Sequence, residues 1–529
     1  MASPLGDILR LARAGLSLAQ HGVHFVPDGA PVPIALRLAQ LVTLPWRALT
    51  WPFRAGRTRQ ARLVSALTGL GPSYIKLGQF LAARPDLVPP DLAEDLSSLQ
   101  DRLPPFSVRQ SEQAIEEAFG RPAGELFVEF GPPVAAASIA QVHKAVVDAG
   151  GARKEVAVKV LRPEVERRFA QDLSSFYFAA RQIERFHPPS RRLRPVAVVD
   201  TLAHSVTVEM DLRMEAAAIS EMADNTRDDH GFRVPGVDWQ RTAKRVLTLE
   251  WVDGIPMRDA DALKAAGHDL TELGNRVIQT FLRHAMRDGF FHADMHQGNL
   301  FIDARGDIVA VDFGIMGRLG PRERRFLAEI LYGFISQDYR RAAEVHYWAG
   351  YVPPHHPVAT FAQALRAIGE PLKDRAAEDI SIGHLLGQLF QYTEVFDMKT
   401  RPELILLQKT MVVVEGVARQ LNPGLNMWSA GEPVVREWME AELGAAGRLK
   451  EAREGAENVG KFVGDLPSLL IQAETAAASF AEMARSGIRL DDATIDQIAR
   501  GPSSHGIWTR VAIWIGALSL FVLALAQFG

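Results

Sequence analysis

The sequence contains no cysteine among its 529 residues. Disulfide bonds, zinc sites built on thiolates and cysteine nucleophiles are therefore excluded. A strong charge of one sign is also missing, because 59 Lys and Arg residues are balanced by 63 Asp and Glu residues, for a formal net charge of -4. Domains that bind nucleic acids usually carry a marked excess of basic residues. The composition therefore predicts no nucleic-acid partner.

Apolar residues are abundant, at 47% of the chain. A chain of this length and apolar content exceeds one compact domain and predicts several structural units around a sizeable core. The N-terminal stretch MASPLGDILRLARAGLSL has no long apolar segment before a small-residue cleavage site. It therefore does not predict a secretory signal.

Acidic residues are missing from one long stretch near the N-terminus, between Asp28 and Asp86. The same stretch contains eight basic residues, which are Arg37, Arg47, Arg54, Arg57, Arg59, Arg62, Lys76 and Arg84. One interpretation is a surface that rests on anionic lipid. The other is an ordinary basic face that packs against the acidic body of the protein. Both interpretations stay open at this stage.

A long hydrophobic run occurs near the C-terminal end. VAIWIGALSLFVLALAQF, residues 511–528, has no charged residue and follows Arg510 directly. As a helix it would span roughly 27 Å, close to the thickness of a bilayer core. Trp508 and Trp514 are typical of a membrane interface, and Arg510 predicts that the body of the protein is cytoplasmic. We therefore expect residues 507–529 to form a transmembrane anchor, with a buried core helix as the alternative.

The rest of the chain alternates between helical and β-type patterns. LFVEF, VAVKV and RVLTLEW are β-type runs, and LFIDARGDIVAV predicts a hairpin whose turn contains Gly306. These patterns predict the α+β class. The expected segments are a helical N-terminal extension (1–105), a mixed lobe (106–253), a mostly helical lobe (254–440), a helical tail with a linker (441–506) and the anchor (507–529).

Two segments predict an ion pair. Lys159 ends the strand pattern VAVK, and the segment EMDLRMEAAAISEMADN carries Glu209, Asp211 and Glu215 on a pattern compatible with one helix. A carboxylate from this segment would hold the Lys159 ammonium where it can meet phosphate oxygens. Glu215 is the preferred partner, and Glu209 and Asp211 form an additional acidic motif. If each segment is considered alone, VAVK could simply end in a solvated lysine, and the second segment could simply carry an ordinary acidic helix face.

Two later segments complete the pattern. Asp294 and Asn299 lie five residues apart in FHADMHQGNLFI, and Asp312 begins DFG thirteen residues after Asn299, at the far end of the predicted hairpin. The hairpin would bring Asn299 and Asp312 together as oxygen ligands for Mg²⁺. Asp294 would orient or deprotonate an attacking hydroxyl or water. The order Lys, Glu, Asp, Asn, Asp is the order found in protein kinases, and it predicts a two-lobed kinase-like fold that binds ATP or ADP.

A competing interpretation takes His292, Asp294 and His296 as a zinc site, because His-x-Asp-x-His has suitable ligand types. This interpretation leaves Lys159 and Asp312 unexplained. A histidine that braces the loop through its backbone is the preferred role for His292.

Glycine is missing where a kinase has a glycine-rich phosphate loop. The chain reads VAAASIAQVHK before VAVK, so Ala135, Ala136 and Ala137 replace residues that would adopt positive φ and allow close approach to phosphates. We expect Ser138 to supply a hydroxyl instead. The predicted nucleotide-binding set is completed by Val142 and by Glu250, Trp251 and Val252, at and after the end of RVLTLEW.

Two further departures concern the acceptor. Ala293 stands where the arginine of the kinase H-R-D sequence would stand, and only six residues separate Gly314 from the helix pattern at Pro321. That interval leaves no room for the segment that seats a peptide substrate in protein kinases. Phosphorylation of proteins is therefore not the preferred activity.

Together, SYIKLGQFLAARPDLVP, the alanine loop, VAVKVLRP, EMDLRMEAAA, HADMHQGNL and VDFG resemble the UbiB family of atypical kinases, over roughly residues 10 to 430. The resemblance implies that the KxGQ motif, Lys76, Gly78 and Gln79, lies on an extension that covers the cleft. It also implies a Mg-nucleotide-binding ATPase or unorthodox kinase at the bacterial inner membrane that assists ubiquinone biosynthesis. The implied partners are anionic lipids, prenylated quinone intermediates and other proteins of that pathway, and a homodimer stays open.

Two other functions stay open from the residues. HADMHQGNL is similar to loops of aminoglycoside and choline kinases, which would indicate a small-molecule phosphotransferase. A nucleotide-sensing scaffold of a membrane enzyme complex is the second alternative. The KxGQ motif and the anchor argue against the first alternative, and the intact set of Lys159, Asp294, Asn299 and Asp312 argues against the second.

Overall fold

The computed structural model describes residues 4–21, 58–82, 103–186, 194–370 and 402–444, with the shorter pieces 88, 92, 95–96, 99, 191, 392 and 395–398. The chain divides into two compact units, Met1–Ala441 and Glu442–Gly529. Apart from residues 442–444, everything described lies in the first unit.

The described residues form helices and short strands in alternation. The helices are α1 Pro4–Gln20, α2 Arg59–Leu70, α3 Pro72–Ala82, α4 Val108–Phe119, α5 Ala123–Leu126, α6 Val165–Phe186, α7 Pro195–Glu209, α8 Leu212–Asn225, α9 Ala260–Ala265, α10 Leu270–Arg283, α11 Pro321–Ile335, α12 Tyr339–Trp348, α13 Val358–Gly369, α14 Pro402–Leu421 and α15 Met427–Leu443. The strands are β1 Glu129–Ala136, β2 Ala140–Asp148, β3 Arg153–Leu161, β4 Phe232–Arg233, β5 Val246–Glu250, β6 Gly254–Pro256, β7 Phe290–His292, β8 Leu300–Asp303, β9 Ile308–Ala310 and β10 Met316–Arg318.

The N-terminal extension is helical where it is described, as the sequence predicts. Thr58 caps α2, because its hydroxyl accepts a hydrogen bond from the Ala61 N–H at 3.2 Å. Gly71 ends that helix with a φ of 107°, a conformation that glycine adopts readily. Pro72 then starts α3, where its missing N–H costs nothing. The basic segment 31–57 lies outside the described residues.

The first sheet has the order β1-β2-β3-β5, and all its strands are antiparallel to their neighbours. Strand β3 alternates between buried residues, such as Val158 and Val160, and partly exposed ones, such as Lys159. This period of two is what a sheet with one buried face requires. Helix α4 covers the buried face, where Ala114 and Ile115 join one apolar cluster with the β3 valines.

The predicted hairpin is confirmed as β8 and β9, which pair antiparallel with Gly306 at positive φ in the turn. It belongs to a second sheet of order β4-β9-β8-β6. Strands β10 and β7 form a separate antiparallel pair. Residues 254–440 are mostly helical where the structure describes them, and the expected boundaries of the second lobe stay a prediction.

The largest buried apolar cluster joins the extension to the lobes. It includes Leu63 and Leu67 of α2, Phe169 of α6, Leu212 of α8 and Val277 of α10. Each fully buried side chain of this size stabilises the folded chain by about 1.5–3 kcal/mol relative to exposure. The extension is therefore part of the folded body.

Two local predictions are wrong. EMDLRMEAAAISEMADN is not one helix, because α7 ends at Glu209 and α8 begins at Leu212. Asp211 caps α8 by accepting a hydrogen bond from the Arg213 N–H at 3.2 Å, and an N-cap residue leaves the helical conformation. LFVEF is a strand only from Glu129 onward, since Leu126 still belongs to α5.

No helix in the described part of the chain is long and apolar enough to cross a membrane. The predicted anchor, 507–529, lies outside the described residues, as does the tail from residue 445 onward.

Candidate functional site

Lys159 occupies the centre of the first sheet. It lies on β3 opposite Val142 of β2 and Leu247 of β5. Its Nζ lies 2.8 Å and 2.9 Å from the two carboxylate oxygens of Glu215, and its side chain is 16% exposed. The predicted ion pair between Lys159 and Glu215 is therefore present.

Glu215 reaches the pair from the first turn of α8. Its Oε1 also accepts a long hydrogen bond, 3.4 Å, from the Phe313 N–H, so the same carboxylate contacts both β3 and the DFG sequence. The break between α7 and α8 directs Asp211 elsewhere. Asp211 pairs with Arg213 at 2.6 Å rather than with Lys159.

The hairpin β8–β9 brings Asp312 to the same place. The Val311 N–H donates to the Asn299 carbonyl at 3.0 Å, so Asn299 and Asp312 are near neighbours across the end of the hairpin. Asp312 Oδ1 lies 3.4 Å from Lys159 Nζ and accepts the Gly314 N–H at 3.0 Å. Three side chains, those of Lys159, Glu215 and Asp312, thus converge, although Lys159 and Asp312 lie 153 residues apart in sequence.

The charges of the site depend on each other. Partial desolvation in the cleft would by itself raise the pKa of Asp312, but the Lys159 ammonium and the Gly314 N–H hold that pKa below its usual value. Burial raises the pKa of Glu215, although the Lys159 charge opposes the increase. Burial would lower the pKa of Lys159, yet the carboxylates of Asp312 and Glu215 raise it above its usual value. Lys159 is therefore positively charged and Asp312 negatively charged at neutral pH.

Asp294 lies on the loop between β7 and β8 with its side chain 37% exposed, so its carboxylate is accessible to solvent. The Asn299 side-chain amide donates to the Asp294 carbonyl at 3.1 Å, which fixes the loop and turns the Asn299 amide oxygen away from that carbonyl. The Thr410 hydroxyl of α14 donates to the Ala293 carbonyl at 3.1 Å and so attaches the loop to that helix. The loop is therefore braced on both sides of Asp294.

The two histidines of this loop act on the backbone. His292 Nδ1 lies 3.0 Å from the Asp294 N–H, and His296 Nδ1 lies 3.0 Å from the Gly298 N–H. Burial lowers the pKa of His292, so its ring is neutral. Within the described residues, His292, Asp294 and His296 do not converge as a set of metal ligands. The zinc interpretation is not supported, and His292 braces the loop as expected.

The donor set fits magnesium. Asn299 and Asp312 offer an amide oxygen and a carboxylate oxygen, and both belong to the hard oxygen donors that Mg²⁺ prefers. Mg²⁺ keeps several waters and binds substrate phosphates with few protein ligands, so two side chains are sufficient. The half-exposed Asp312 carboxylate, at 45%, leaves room for such a shell.

The alanine loop forms the tight end of the β1–β2 hairpin. Ala135 and Ala136 end β1 opposite Val142 and Gln141, and the Ala137 N–H donates to the Ala140 carbonyl at 2.8 Å. The turn therefore forms without positive φ at Ala135, Ala136 or Ala137, and its role as a phosphate loop stays a prediction. Ser138 is fully buried, so contact between its hydroxyl and phosphate requires an opening of the loop and stays a prediction.

Arg162 holds this turn and was not predicted from the sequence. Its guanidinium donates to the Ala137 carbonyl at 3.0 Å and 2.8 Å and to the Leu103 carbonyl at 3.3 Å. It also lies 5.5 Å from the ring of Phe106. Its position three residues after Lys159 is the only sequence feature that could have indicated a role for Arg162. Its partner lies 25 residues earlier, so only the tertiary structure reveals the contact.

The segment after β5 connects the two lobes. Glu250 accepts hydrogen bonds from Arg233 at 3.1 Å and from the Gly236 N–H at 3.2 Å, so its side chain is committed to structure. The Trp251 ring lies beneath Lys144 at 4.8 Å. Nucleotide contacts of Glu250, Trp251 and Val252 are therefore expected from the main chain and stay predictions.

The KxGQ motif lies on α3. Lys76 forms a hydrogen-bonded ion pair with Glu209, and both side chains are largely buried. The positive charge of Lys76 also contributes to the low pKa of Asp312. Gln79 donates a long hydrogen bond of 3.4 Å to the Leu99 carbonyl, and a Cβ at Gly78 would lie 2.3 Å from the Leu99 side chain. The motif thus connects the extension to Glu209 at the end of α7.

The chain continues from DFG almost directly into the next helix. Strand β10 pairs with β7, and α11 begins at Pro321. The Arg318 side chain closes this short segment against Glu221 of α8, at 2.5 Å and 2.7 Å. The short connection between Gly314 and the next helix is therefore as the sequence predicts, and the lack of a peptide-seating segment stays a prediction.

Comparisons with known proteins agree with this geometry. Residues 98–346 match the family described as the ABC1 atypical kinase-like domain, and residues 365–426 match the UbiB helical domain. A protein of Marinobacter nauticus named "Probable protein kinase UbiB" is 42% identical over 424 residues, which cover 79% of this chain and 76% of the relative. A protein of the same name from Xanthomonas campestris pv. campestris is 36% identical over 531 residues, which cover 99% and 94%.

Among solved structures, that of Rv3197 with erythromycin, from Mycobacterium tuberculosis, matches with a TM-score of 0.49 and 21% sequence identity. The match covers 78% of this chain and 99% of the solved chain.

Proposed function

Because the chain belongs to the UbiB family of atypical kinase-like proteins, which implies a role in ubiquinone biosynthesis, we propose that it binds a magnesium nucleotide and hydrolyses ATP. We further propose that this turnover assists the handling of prenylated quinone precursors at the membrane. The convergence of Lys159, Glu215 and Asp312 is the observation that carries the proposal.

The residues divide the work of phosphoryl transfer. Lys159, held by Glu215, offers its ammonium to phosphate oxygens, and the ion pair prevents it from leaving the cleft. Asn299 and Asp312 would hold magnesium, which when bound neutralises charge on the phosphate oxygens. Asp294 accepts the proton of the attacking water as its oxygen bonds to the γ-phosphorus and ADP leaves. Electrostatic positioning supplies most of the catalysis in such reactions.

Water is the favoured acceptor. The short connection from DFG to α11 leaves no seat for a peptide, and the extension pairs through Lys76 with Glu209 at the end of α7. A small acceptor hydroxyl remains compatible with this arrangement. The small-molecule phosphotransferase is therefore kept as the second candidate.

The enzymatic part is tested with the full chain in detergent. Asp312→Asn should reduce phosphate release from ATP by a factor of about 100 or more, because one charged magnesium ligand becomes neutral. Asp261→Asn, an exposed change of the same chemistry on α9, is the control and should keep the wild-type rate. Equal rates for Asp312→Asn and wild type would refute the assigned magnesium site.

The pathway is tested by quinone profiles. A strain that carries only the Asp312→Asn chain should lose ubiquinone and accumulate an early prenylated precursor. If Asp312→Asn abolishes phosphate release but leaves the ubiquinone level normal, ATP hydrolysis is not required for the pathway. That result would favour the nucleotide-sensing scaffold. Phosphorylation of an added phenol or alcohol in place of phosphate release would favour the small-molecule phosphotransferase.

Membrane association is the remaining part of the proposal. Residues 511–528 form an uncharged run of sufficient length to approach a bilayer core, and the UbiB relatives imply a role near a lipid-soluble product. A chain lacking residues 507–529 should leave the membrane fraction. Substitution of the seven arginines and one lysine between Asp28 and Asp86 tests the anionic-lipid surface separately. Retention of the truncated chain by neutral vesicles would refute the anchor.

A further inference from the structure

A second group of ligand-type side chains lies in the helical lobe. His355 Nε2 lies 3.5 Å and His356 Nε2 lies 3.3 Å from the same oxygen, Oδ2 of Asp397. The three ligand atoms all lie within 4.8 Å of one another. In the part of the chain that the structure describes, this is the one group of three or more His, Asp or Glu side chains with such spacing.

Packing orients the two histidines. The Tyr347 hydroxyl donates to the His356 carbonyl at 2.8 Å, and the His356 ring packs against Phe396 at 5.3 Å. His356 is 21% exposed, whereas His355 is 63% exposed and packs against His356 with ring centroids 4.1 Å apart and ring planes tilted by 40°. Prolines at positions 353, 354 and 357 surround the pair and restrict its backbone. The imidazoles are therefore placed together before any ligand arrives.

Asp397 reaches the pair from a different part of the chain. It follows Phe396, which belongs to the apolar cluster that also contains Phe361 of α13 and Val352. Its φ is 48°, in the left-handed region that Asp tolerates better than most residues. Burial of Phe396 in this cluster thus fixes the position of the neighbouring Asp397, whose carboxylate faces both imidazoles.

The spacing fits a tetrahedral transition-metal ion. An ion with bonds of roughly 2.0–2.1 Å holds its ligand atoms about 3.3–3.4 Å apart. Of the two nitrogen-to-oxygen distances, 3.3 Å lies within this range and 3.5 Å lies just above it. Two imidazoles with one carboxylate suit Zn²⁺ and related ions rather than Mg²⁺, which prefers oxygen donors.

We propose that His355, His356 and Asp397 form a Zn²⁺-type metal site that is separate from the magnesium nucleotide site. The site joins the connection between α12 and α13 to the segment that precedes α14. An ion bound there closes a loop of about forty residues, which stabilises the folded lobe because the unfolded chain lacks a preformed site. The exposure of His355 and Asp397 leaves the fourth position to water or an external ligand.

Cobalt is the probe for the test, because tetrahedral Co²⁺ absorbs visible light whereas Zn²⁺ does not. The full chain, without an affinity tag and freed of metal by a chelator, is titrated with Co²⁺ and then with Zn²⁺. We expect one equivalent of Co²⁺ with tetrahedral absorption bands, which Zn²⁺ displaces. His355→Ala and Asp397→Asn should each weaken binding by about tenfold or more.

Two control variants and a measurement of Tm make the result specific. His204→Ala removes an exposed histidine elsewhere and should bind cobalt as wild type does. Asp312→Asn should also keep the absorption bands, so failure of the magnesium assignment would not affect this test. His355 is mostly exposed, so its replacement by alanine does not threaten folding, and Zn²⁺ should raise the Tm of wild type but not of His355→Ala.

Two outcomes would overturn the proposal. If wild type develops no absorption bands, the three side chains are joined by hydrogen bonds alone. If His355→Ala and Asp397→Asn bind cobalt as tightly as wild type, the metal occupies another place.

Discussion

The guanidinium of Arg162 donates two hydrogen bonds to the main-chain oxygen of Ala137, at 3.0 Å and 2.8 Å. Arg162 follows β3, and Ala137 lies in the turn where kinases carry glycine. The same guanidinium reaches the Leu103 carbonyl, so it ties the alanine turn to the chain that precedes α4. A loop without glycine is thus held in one position by a charged side chain.

The first prediction concerns this contact. Arg162→Lys keeps the charge but loses the planar group that donates twice to one oxygen. Since the turn must then be ordered when nucleotide binds, we expect about tenfold weaker ATP binding, measured by calorimetry. Arg153→Lys, an exposed change on the same strand, is the control and should have no effect. Unchanged affinity for Arg162→Lys would show that the turn is fixed by other contacts.

The second prediction concerns the pair formed by Lys76 and Glu209. Lys76→Met leaves a largely buried carboxylate without its cation and should destabilise the fold by about 3–5 kcal/mol. The double variant Lys76→Met/Glu209→Gln should recover part of that loss, because no unpaired charge remains. A double-mutant cycle on urea midpoints should give a coupling energy of about 0.5–3 kcal/mol. Strictly additive effects would contradict the ion pair.

The third prediction explains the glycine of KxGQ by packing. A Cβ at Gly78 would lie 2.3 Å from Leu99 Cδ1 and 3.2 Å from Leu67 Cδ1. Overpacking of this kind costs about 1–3 kcal/mol, which exceeds the gain of about 1 kcal/mol from alanine in a helix. Gly78→Ala should therefore lower the Tm. Gly15→Ala, on α1 with no atom within 4 Å of the new Cβ, should raise it slightly.

The fourth prediction concerns acid stability. Burial lowers the pKa of His346 to about 4, although a hydrogen bond to the Ala342 carbonyl opposes the decrease. In the unfolded chain this ring titrates near pH 6.5, so between about pH 6.5 and 4 the unfolded state binds more protons. Stability should therefore fall as the pH falls through that window, by up to about 3 kcal/mol from this group.

His346→Gln removes the titrating group, so the urea midpoint should depend less on pH between about 6.5 and 4 than in wild type. His204→Gln, at an exposed position, should leave the pH dependence of wild type in place. An identical pH dependence in His346→Gln and wild type would mean that other groups cause the loss of stability in acid.

Much of the candidate site was predictable because its signals are local. Two apolar strand patterns on either side of a turn with glycine predict the hairpin between Asn299 and Asp312. Because the two strands pair along a short stretch of chain, the hairpin also brings these two residues close together. Lys159 was identified by its strand pattern, and Glu215 by its position on an acidic segment. The break between α7 and α8 was missed because Asp211 fits either a helix interior or an N-cap, and only packing selects the cap.

The sequence by itself determined the order of the catalytic-type residues, the hairpin around Gly306 and the short connection after DFG, since these depend on neighbours along the chain. Only the tertiary structure decided that Lys76 meets Glu209 across 133 residues, that Arg162 holds Ala137, and that His355 and His356 face Asp397. Such pairs carry no periodicity or fixed spacing. They form because the burial of a shared apolar core brings distant segments together. The charged groups at the edge of this core then pair, because an unpaired charge that is removed from water is costly.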